Sequence, residues 1–432
     1  MIKKLSLALG VGVLLAGKLF GGNTNAVMLT LADAEKIALQ NHPQIAAADY
    51  RVLAAQEVVK ETRAGFFPTL DAYGNAVGTG NEDARIMAGG LSNPSIYDRA
   101  AGGLALNQLI TDFGHTAQLA SSSKFHAEAE KQNAGATREQ VLLEVNTSFL
   151  NALGARAVLQ VAQETLDTRQ LLLDQVTLLA SNKLKSELDV SFARVAVEES
   201  RLLLQTSQAD ADNAMISLST ALGYQLPRSF QLLEPAPTNF AATNDIDELT
   251  QTALSIRPEL SSMRSEQNSA HAYARAQRDA RLPVVSAVGV IGAAPWRDTH
   301  LPDDYAVGGV QISLPLFAGG LYTAREHEAE FRADVLNEQL RDAEDEVVRN
   351  VHLAWSNLNN ADEQLETTGH LLSNAKESYE LADARYQIGS SSIVELSQAQ
   401  LNLTSAEITD TSARYNVLIR QAQLTYEIGS LR

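Results

Sequence analysis

The sequence contains no cysteine among its 432 residues. This absence excludes disulfides, zinc–thiolate sites and thiol nucleophiles. Basic residues are also scarce, because 34 Lys and Arg stand against 52 Asp and Glu, which gives a formal net charge of −18. A surface this acidic repels phosphate backbones, so we expect no nucleic-acid partner.

Long apolar runs are missing beyond residue 26, so no membrane-spanning helix is predicted there. If the chain enters a membrane, it must do so as a closed barrel, because only helices and closed barrels satisfy every backbone polar group in lipid. Residues 1–26 are typical of a signal peptide: two lysines precede an apolar stretch, and a small-residue cleavage pattern ends at Ala26. Lys18 stands where a lipoprotein signal would place its acylated cysteine, so we expect no lipid anchor.

Enzyme signatures are missing as well. The sequence has no P-loop and no H-E-x-x-H motif, and its eight histidines are scattered. His327 and Glu330 are three residues apart in a charged helix, which indicates a solvated face more than a metal site. We therefore predict no catalytic residues, no cofactor and no metal site, and we expect that the protein is not an enzyme.

The sequence does contain an internal repeat. The segment ALQNHPQI at 38–45 is matched by ALSIRPEL at 253–260, and GGLALNQLI at 102–110 is matched by GGVQISLPL at 308–316. Copies of about 190 residues are much longer than solenoid units, so the repeat indicates a duplicated domain plan. We predict a first repeat at 27–226, a linker at 227–247 and a second repeat at 248–432.

Each repeat is predicted to contain a helix, two strands and a long helical hairpin. Proline cannot donate a backbone hydrogen bond to a helix, so the first helix should end before Pro68 in one repeat and Pro283 in the other. The expected bounds are strands at about 68–80 and 100–111 with a hairpin at 115–223, then strands at about 283–293 and 305–317 with a hairpin at 320–429.

Periodicity distinguishes the strands from the helices. Leu104, Leu106 and Ile110 alternate with smaller or polar residues, which is typical of a strand between lipid and water, although a half-buried strand of a soluble sandwich has the same pattern. In the hairpins, large residues such as Leu358 and Leu365 recur every seven positions with small residues between them, as close coiled-coil packing requires. A helix of about 65 residues would reach about 100 Å, which fits a fibre or a tube.

Duplication, strand pairs and coiled-coil hairpins together resemble the TolC-like outer-membrane efflux protein family. The resemblance covers essentially the whole chain after residue 26. It is carried by RAGFFPTLDA at 63–72, LPLFAGG at 314–320 and ARYQIGSSSIVELSQAQLNL at 384–403. It implies an α+β membrane protein: a homotrimeric 12-stranded β-barrel, with four strands from each chain, on a long periplasmic α-helical coiled-coil barrel.

The resemblance also implies a periplasmic gate at the hairpin tips. By motif position, Asp189 and Tyr386 would hydrogen-bond to each other and Glu395 would form an acidic ring. Two positions depart from the family pattern, because Gln398 replaces a second acid and Lys183 replaces a glycine. Tyr386 also occupies a heptad position and Asp189 could simply start a helix. The residues expected to contact an adaptor are Lys183, Leu184, Ser186, Gly389 and Ser391.

The implied function is a passive outer-membrane exit duct of a tripartite efflux or type I secretion system. Its partners would be outer-membrane lipid, a periplasmic adaptor protein that opens the duct, and an inner-membrane pump driven by protons or ATP. A structural or adhesive coiled-coil stalk without a channel is the main alternative, and a soluble periplasmic helical enzyme is a third. The stalk has no use for two proline-led strand pairs at matching places, whereas the channel requires them.

Overall fold

The computed structural model describes residues 27–78, 87–88, 91–92, 99–235, 245–296 and 302–431. The predicted signal peptide, 1–26, and residues 236–244 of the predicted linker lie outside this part of the chain. The first half contains β1 (Val27–Leu29), α1 (Leu31–Asn41), α2 (Pro43–Ala64), β2 (Thr69–Val77), β3 (Met87–Ala88), β4 (Leu91–Ser92), β5 (Arg99–Thr111), α3 (His115–Ser181) and α4 (Glu187–Ala221). The second half contains β6 (Phe230–Leu232), α5 (Ile246–Ile256), α6 (Pro258–Asp279), β7 (Val284–Trp296), β8 (Asp304–Ser313), α7 (Leu321–Gln387) and α8 (Ile393–Glu427).

The helices of the two halves have equal lengths. Helices α1 and α5 have 11 residues each, α2 and α6 have 22, α3 and α7 have 67, and α4 and α8 have 35. Local signals fix their ends: Thr30 caps α1 by accepting a hydrogen bond from the Asp33 amide, and α2 and α6 begin on prolines, where a missing N–H is tolerated. At 1.5 Å per residue, α3 and α7 are each about 100 Å long.

Each long helix has different neighbours along its length. The first part of α3 packs against α2 and α6, and the Thr62 hydroxyl lies 2.6 Å from the Ser123 hydroxyl at the α2 contact. The second part packs against α4, where Arg169 donates to the Ala196 carbonyl at 2.9 Å. Small residues such as Ala162 and Ala361 are fully buried in the heptad seams, so the helices approach closely.

Three buried clusters hold the helices together. One surrounds Phe149 and includes the short parallel pair β1–β6, and a second surrounds Val351 in the other repeat. The third lies at the hairpin tips and surrounds Leu396. Within the described residues, no helix combines the length and the apolar character needed to cross a membrane.

Four strands form an antiparallel sheet in the order β2-β5-β7-β8, so a strand of the first repeat pairs with a strand of the second. β8 ends at Ser313, and the predicted extent to residue 317 is therefore wrong. Pro315 explains the difference, because it cannot donate to a strand ladder. β7 continues to Trp296, three residues beyond the predicted end.

The cross-strand register places the large apolar side chains of these strands on one face. Leu104 is opposite Ile291, Leu106 is opposite Leu70, and residues directly opposite each other share a face of the sheet. The exposed apolar residues on this face are Leu70, Leu104, Leu106, Ile291, Val310 and Ile312. The other face holds Asp71, Tyr73, Asn107, Ser286, Tyr305 and Gln311, together with valines 288, 290 and 307.

Candidate functional site: the sheet and the hairpin tips

The polar face of the sheet contains a tyrosine bridge. The hydroxyls of Tyr73 and Tyr305 lie 2.7 Å apart, and the row between them consists of Gly103 and Gly292. A Cβ atom added at Gly292 would overlap the Tyr305 hydroxyl. The two glycines are therefore required here, because the tyrosines reach each other across the backbone that the glycines leave uncovered.

The hairpin tips lie at the far ends of the long helices and are built alike. Lys183 and Gly389 both have a positive φ, 63° and 76°, and each follows a long helix. The next residue donates back to the helix in both turns, Leu184 to the Leu179 carbonyl and Ser390 to the Arg385 carbonyl, both at 2.9 Å. This is a Schellman-type end, for which glycine is preferred. A lysine in this left-handed conformation costs about 1–2 kcal/mol relative to glycine.

A serine caps the helix that leaves each tip. The Ser186 hydroxyl accepts from the Asp189 amide at 3.1 Å, and one carboxylate oxygen of Asp189, Oδ2, accepts from the Ser186 amide at 3.0 Å. These two bonds form a capping box. The bond from the Ser186 amide to the carboxylate lowers the pKa of Asp189 against a smaller opposing effect of burial, and a bond from the Ser186 hydroxyl to the same oxygen and the nearby Lys185 lower it further. In the second repeat, Ser392 caps Glu395 in the same way, at 3.2 Å.

Glu395 does not complete a capping box. Its carboxylate pairs with the Arg385 guanidinium at 2.8 Å, which joins the end of α7 to the start of α8. Both side chains are about half exposed. Sequence reasoning selected Glu395 and missed Arg385, although the basic residue ten positions earlier in the same hairpin could have suggested the pair.

Tyr386 is buried in the third cluster, among residues that include Val176, Val190 and Leu396. Its ring is covered by the Lys185 ammonium, whose Nζ is 4.0 Å from the ring centroid. Burial raises the pKa of Tyr386, and the nearby Asp189 carboxylate raises it further. The structure therefore brings Tyr386 close to Asp189, two residues that are distant in sequence.

The hydrogen bond expected between Tyr386 and Asp189 is not formed in this structure. The Tyr386 hydroxyl is buried and has no hydrogen-bond partner among the described residues. Within the described chain, the Asp189 carboxylate accepts hydrogen bonds from the Ser186 amide and the Ser186 hydroxyl, and both go to Oδ2. The other carboxylate oxygen, Oδ1, is therefore available. A buried unpaired hydroxyl is uncommon, because it loses its bonds to water without replacement.

The remaining predicted residues lie on the surface of the tips. Lys183, Leu184, Ser186 and Gly389 are exposed, and Ser391 is half-buried with an unpaired hydroxyl oxygen. Apolar side chains accompany them: Leu184 is 69% exposed and Ile388 is 80% exposed. Exposed apolar residues grouped at one end of a protein are typical of a surface that binds another protein.

A sheet with one exposed apolar face, joined to paired helices about 100 Å long, is typical of an elongated protein whose sheet can face lipid. Comparison with known families identifies the chain further. The family model described as outer membrane efflux protein matches residues 36–224 and 249–430. The chain therefore belongs to the outer membrane efflux protein family, and it is an outer-membrane protein.

Individual relatives agree with this assignment. The outer membrane protein TolC of Escherichia coli is 24% identical over 402 residues, which cover 88% of this chain and 78% of that protein. The pyoverdine export outer membrane protein OpmQ of Pseudomonas aeruginosa is 25% identical over 400 residues, 91% of this chain and 82% of that protein. The crystal structure of CusC matches with a TM-score of 0.80 at 20% identity, over 96% of this chain and 95% of that one, which shows a shared fold.

Proposed function

We propose that three copies of this chain form one passive outer-membrane exit duct for efflux or type I secretion. Each copy would give four strands to a shared 12-stranded barrel, and the helices would form a tunnel through the periplasm. The observation that carries the proposal is the open four-stranded sheet with its exposed apolar face. Its edge strands, β2 and β8, need partners, because unpaired strand edges are not tolerated in lipid.

The proposed boundaries follow the repeat. We propose that residues 1–26 are removed on export, that the repeats occupy 27–226 and 248–432, and that 227–247 joins them. Sequencing the amino terminus of protein purified from the outer membrane tests the first boundary, because the mature chain should begin near Val27. Recovery of an intact Met1 would contradict it.

The trimer has its own test. Mass measurement in mild detergent should report three copies per particle, and circular dichroism should report the strand content of the sheet only in that particle. A stable monomer that retains its strands would contradict the shared barrel. A trimer without measurable conductance in planar bilayers would instead favour the stalk without a channel.

We further propose that the hairpin tips form the periplasmic gate. The Tyr386 hydroxyl has no partner among the described residues and the Oδ1 atom of Asp189 is available, so a bond between them would leave the Ser186 capping box intact. One such bond contributes about 0.5–1.5 kcal/mol net, which a docking adaptor could overcome. Threefold symmetry would repeat the bond in each copy.

The same tips are the proposed docking surface for the adaptor, through Lys183, Leu184, Ser186, Gly389 and Ser391. The exposed Leu184 and Ile388 support this proposal, because apolar side chains at a tip gain most from being covered. The adaptor would connect the duct to an inner-membrane pump driven by protons or ATP.

The gate proposal is tested by single-channel conductance in planar bilayers. The double variant Asp189→Ala, Tyr386→Phe should conduct more than the unmodified protein, because the closed arrangement loses its bond in every copy. Tyr379→Phe is the matched control, since Tyr379 is a partly buried tyrosine that packs against the same cluster. Equal conductance in the double variant and the control, with intact trimers, would show that the two residues act only in packing and capping.

A further inference from the structure

Helices α3 and α6 pack closely just below the sheet, and two serines fix their spacing. The Ser262 hydroxyl donates to the Ala129 carbonyl at 3.0 Å, and the Ser269 hydroxyl donates to the Ser122 carbonyl at 2.9 Å. The two bonds lie about two turns apart and show that the helices run antiparallel. The segment between the bonds is therefore held at a fixed interhelical distance.

Three side chains with metal-binding groups lie in or beside this segment: His126 and Glu266 are within it, and Glu130 is one residue beyond Ala129. His126 and Glu130 are one turn apart on α3, and Glu266 faces them from α6. The His126 Nδ1 atom donates to Glu266 Oε1 at 2.6 Å, and one donor atom from each of the three residues lies within 4.8 Å of the others. The His126 and Glu266 side chains are 46% and 31% exposed, so an ion can reach them from solvent.

We propose that His126, Glu130 and Glu266 bind one divalent first-row transition-metal ion, with Zn²⁺ as the reference. One imidazole nitrogen and two carboxylate oxygens are ligands that such ions accept, and water would occupy the remaining position. Ligands at about 2.0–2.2 Å from Zn²⁺ lie about 3.3 Å apart in a tetrahedral site. The 2.6 Å contact must therefore open slightly as the ion displaces the Nδ1 proton. The donor atoms, which all lie within 4.8 Å of one another, can reach this spacing by side-chain rotation.

The bound ion would link the two repeats. His126 and Glu130 belong to the first repeat and Glu266 to the second, and His126 is 11 residues, or about 16 Å, along α3 from its start at His115. A metal at this point would clamp the helices beneath the sheet. No sequence motif predicts this site, because its ligands come from two helices that are distant in the chain.

The experiment uses the full-length protein in detergent, stripped with chelator and titrated with ZnCl₂ by isothermal calorimetry. We expect one Zn²⁺ per chain, and a loss of affinity of about tenfold or more in His126→Gln and in Glu266→Gln, because each removes one of three ligands. Glu130→Gln removes the third ligand and should also weaken binding. It replaces either of the other variants if circular dichroism shows that one to be poorly folded.

The chain offers a matched control at His370. This residue lies one turn from Glu366 on α7, 3.9 Å from its carboxylate, and both side chains are at least 78% exposed. No second helix supplies a carboxylate to this pair among the described residues. His370→Gln should therefore leave the affinity and stoichiometry unchanged.

A second measurement separates binding at the site from binding elsewhere. Zn²⁺ should raise the melting temperature of the unmodified protein and of His370→Gln, and it should raise that of His126→Gln much less, because only an intact site is stabilised by the ion. The proposal is overturned if the unmodified protein binds no Zn²⁺, or if His126→Gln and His370→Gln bind and melt alike.

Discussion

The ion pair between Arg385 and Glu395 leads to a specific prediction about ion selectivity. In the proposed trimer, each Glu395 carboxylate near the axis is matched by an Arg385 guanidinium at 2.8 Å, so the ring carries little net charge. Arg385→Gln would leave three unpaired carboxylates, which attract cations. Glu395→Gln would leave three unpaired guanidiniums, which repel them. The two single variants should therefore shift selectivity in opposite directions.

The structure also sets the size of the effects. The Arg385 and Glu395 side chains are 56% and 43% exposed, and an exposed pair of this kind contributes about 0.2–1 kcal/mol. Either variant should thus fold and assemble normally. Its effect should be a change in ion selectivity and not a loss of stability. The shift in selectivity should be larger at about 0.01 M salt than at about 0.1 M, because the screening length falls from about 30 to about 10 Å.

Reversal potentials across a KCl gradient in planar bilayers measure the shift. Arg385→Gln should increase the preference for K⁺ and Glu395→Gln should decrease it, while the double variant should return close to the unmodified protein. Arg349→Gln is the control, because Arg349 pairs with Glu346 at the same distance of 2.8 Å on the body of α7. If Arg385→Gln behaves like Arg349→Gln, the ring does not line the conducting path and the reasoning fails.

Two further predictions concern stability. Arg257 is 8% exposed and donates to Glu427 at 2.7 Å, so Arg257→Ala should destabilise the protein by about 3 kcal/mol, measured as a lower melting temperature, by leaving Glu427 unpaired. Burial and the nearby Glu164 raise the pKa of Glu407 against an opposing effect of Lys376, so its charge destabilises the folded state above that pKa. Glu407→Gln should therefore raise the melting temperature at pH 7, and the gain should shrink as the pH falls through the raised pKa; a gain independent of pH would contradict this cause.

Local signals in the sequence predicted the order of the main elements, but not all of them. The single helix predicted before each strand pair is two helices, because a new helix begins at Pro43 and at Pro258. The short strands β1 and β6 were not predicted. Prolines at 68 and 283 mark the ends of the helices before the first strand of each pair, and a heptad with small residues predicted the long hairpins. These features depend on a few neighbouring residues and on steric rules that hold in any fold. The extent of β8 was overestimated because alternation continues past Ser313, whereas backbone pairing is limited by Pro315.

Contacts between distant residues could not be predicted in the same way. The resemblance selected Asp189, Tyr386 and Glu395, but it gave no account of the capping box that occupies one Asp189 oxygen or of the guanidinium that pairs with Glu395. Such contacts depend on the rotamers of long side chains on different helices. Sequence spacing does not determine them, so the electrostatics of the tips had to come from the structure.

The strand order explains why three copies suit this chain. Within the sheet, β2, β5, β7 and β8 alternate in direction, so joining β8 of one copy to β2 of the next continues the antiparallel alternation without a break. Any even number of strands per chain keeps this alternation, so strand direction does not determine the number of copies. The width of the barrel interior must determine it. Four strands do not close a barrel, and the interior of an eight-stranded barrel is filled by side chains or holds at most one small ligand. The proposed twelve strands from three copies would therefore be the smallest assembly of this sheet that closes its edges and leaves an open passage.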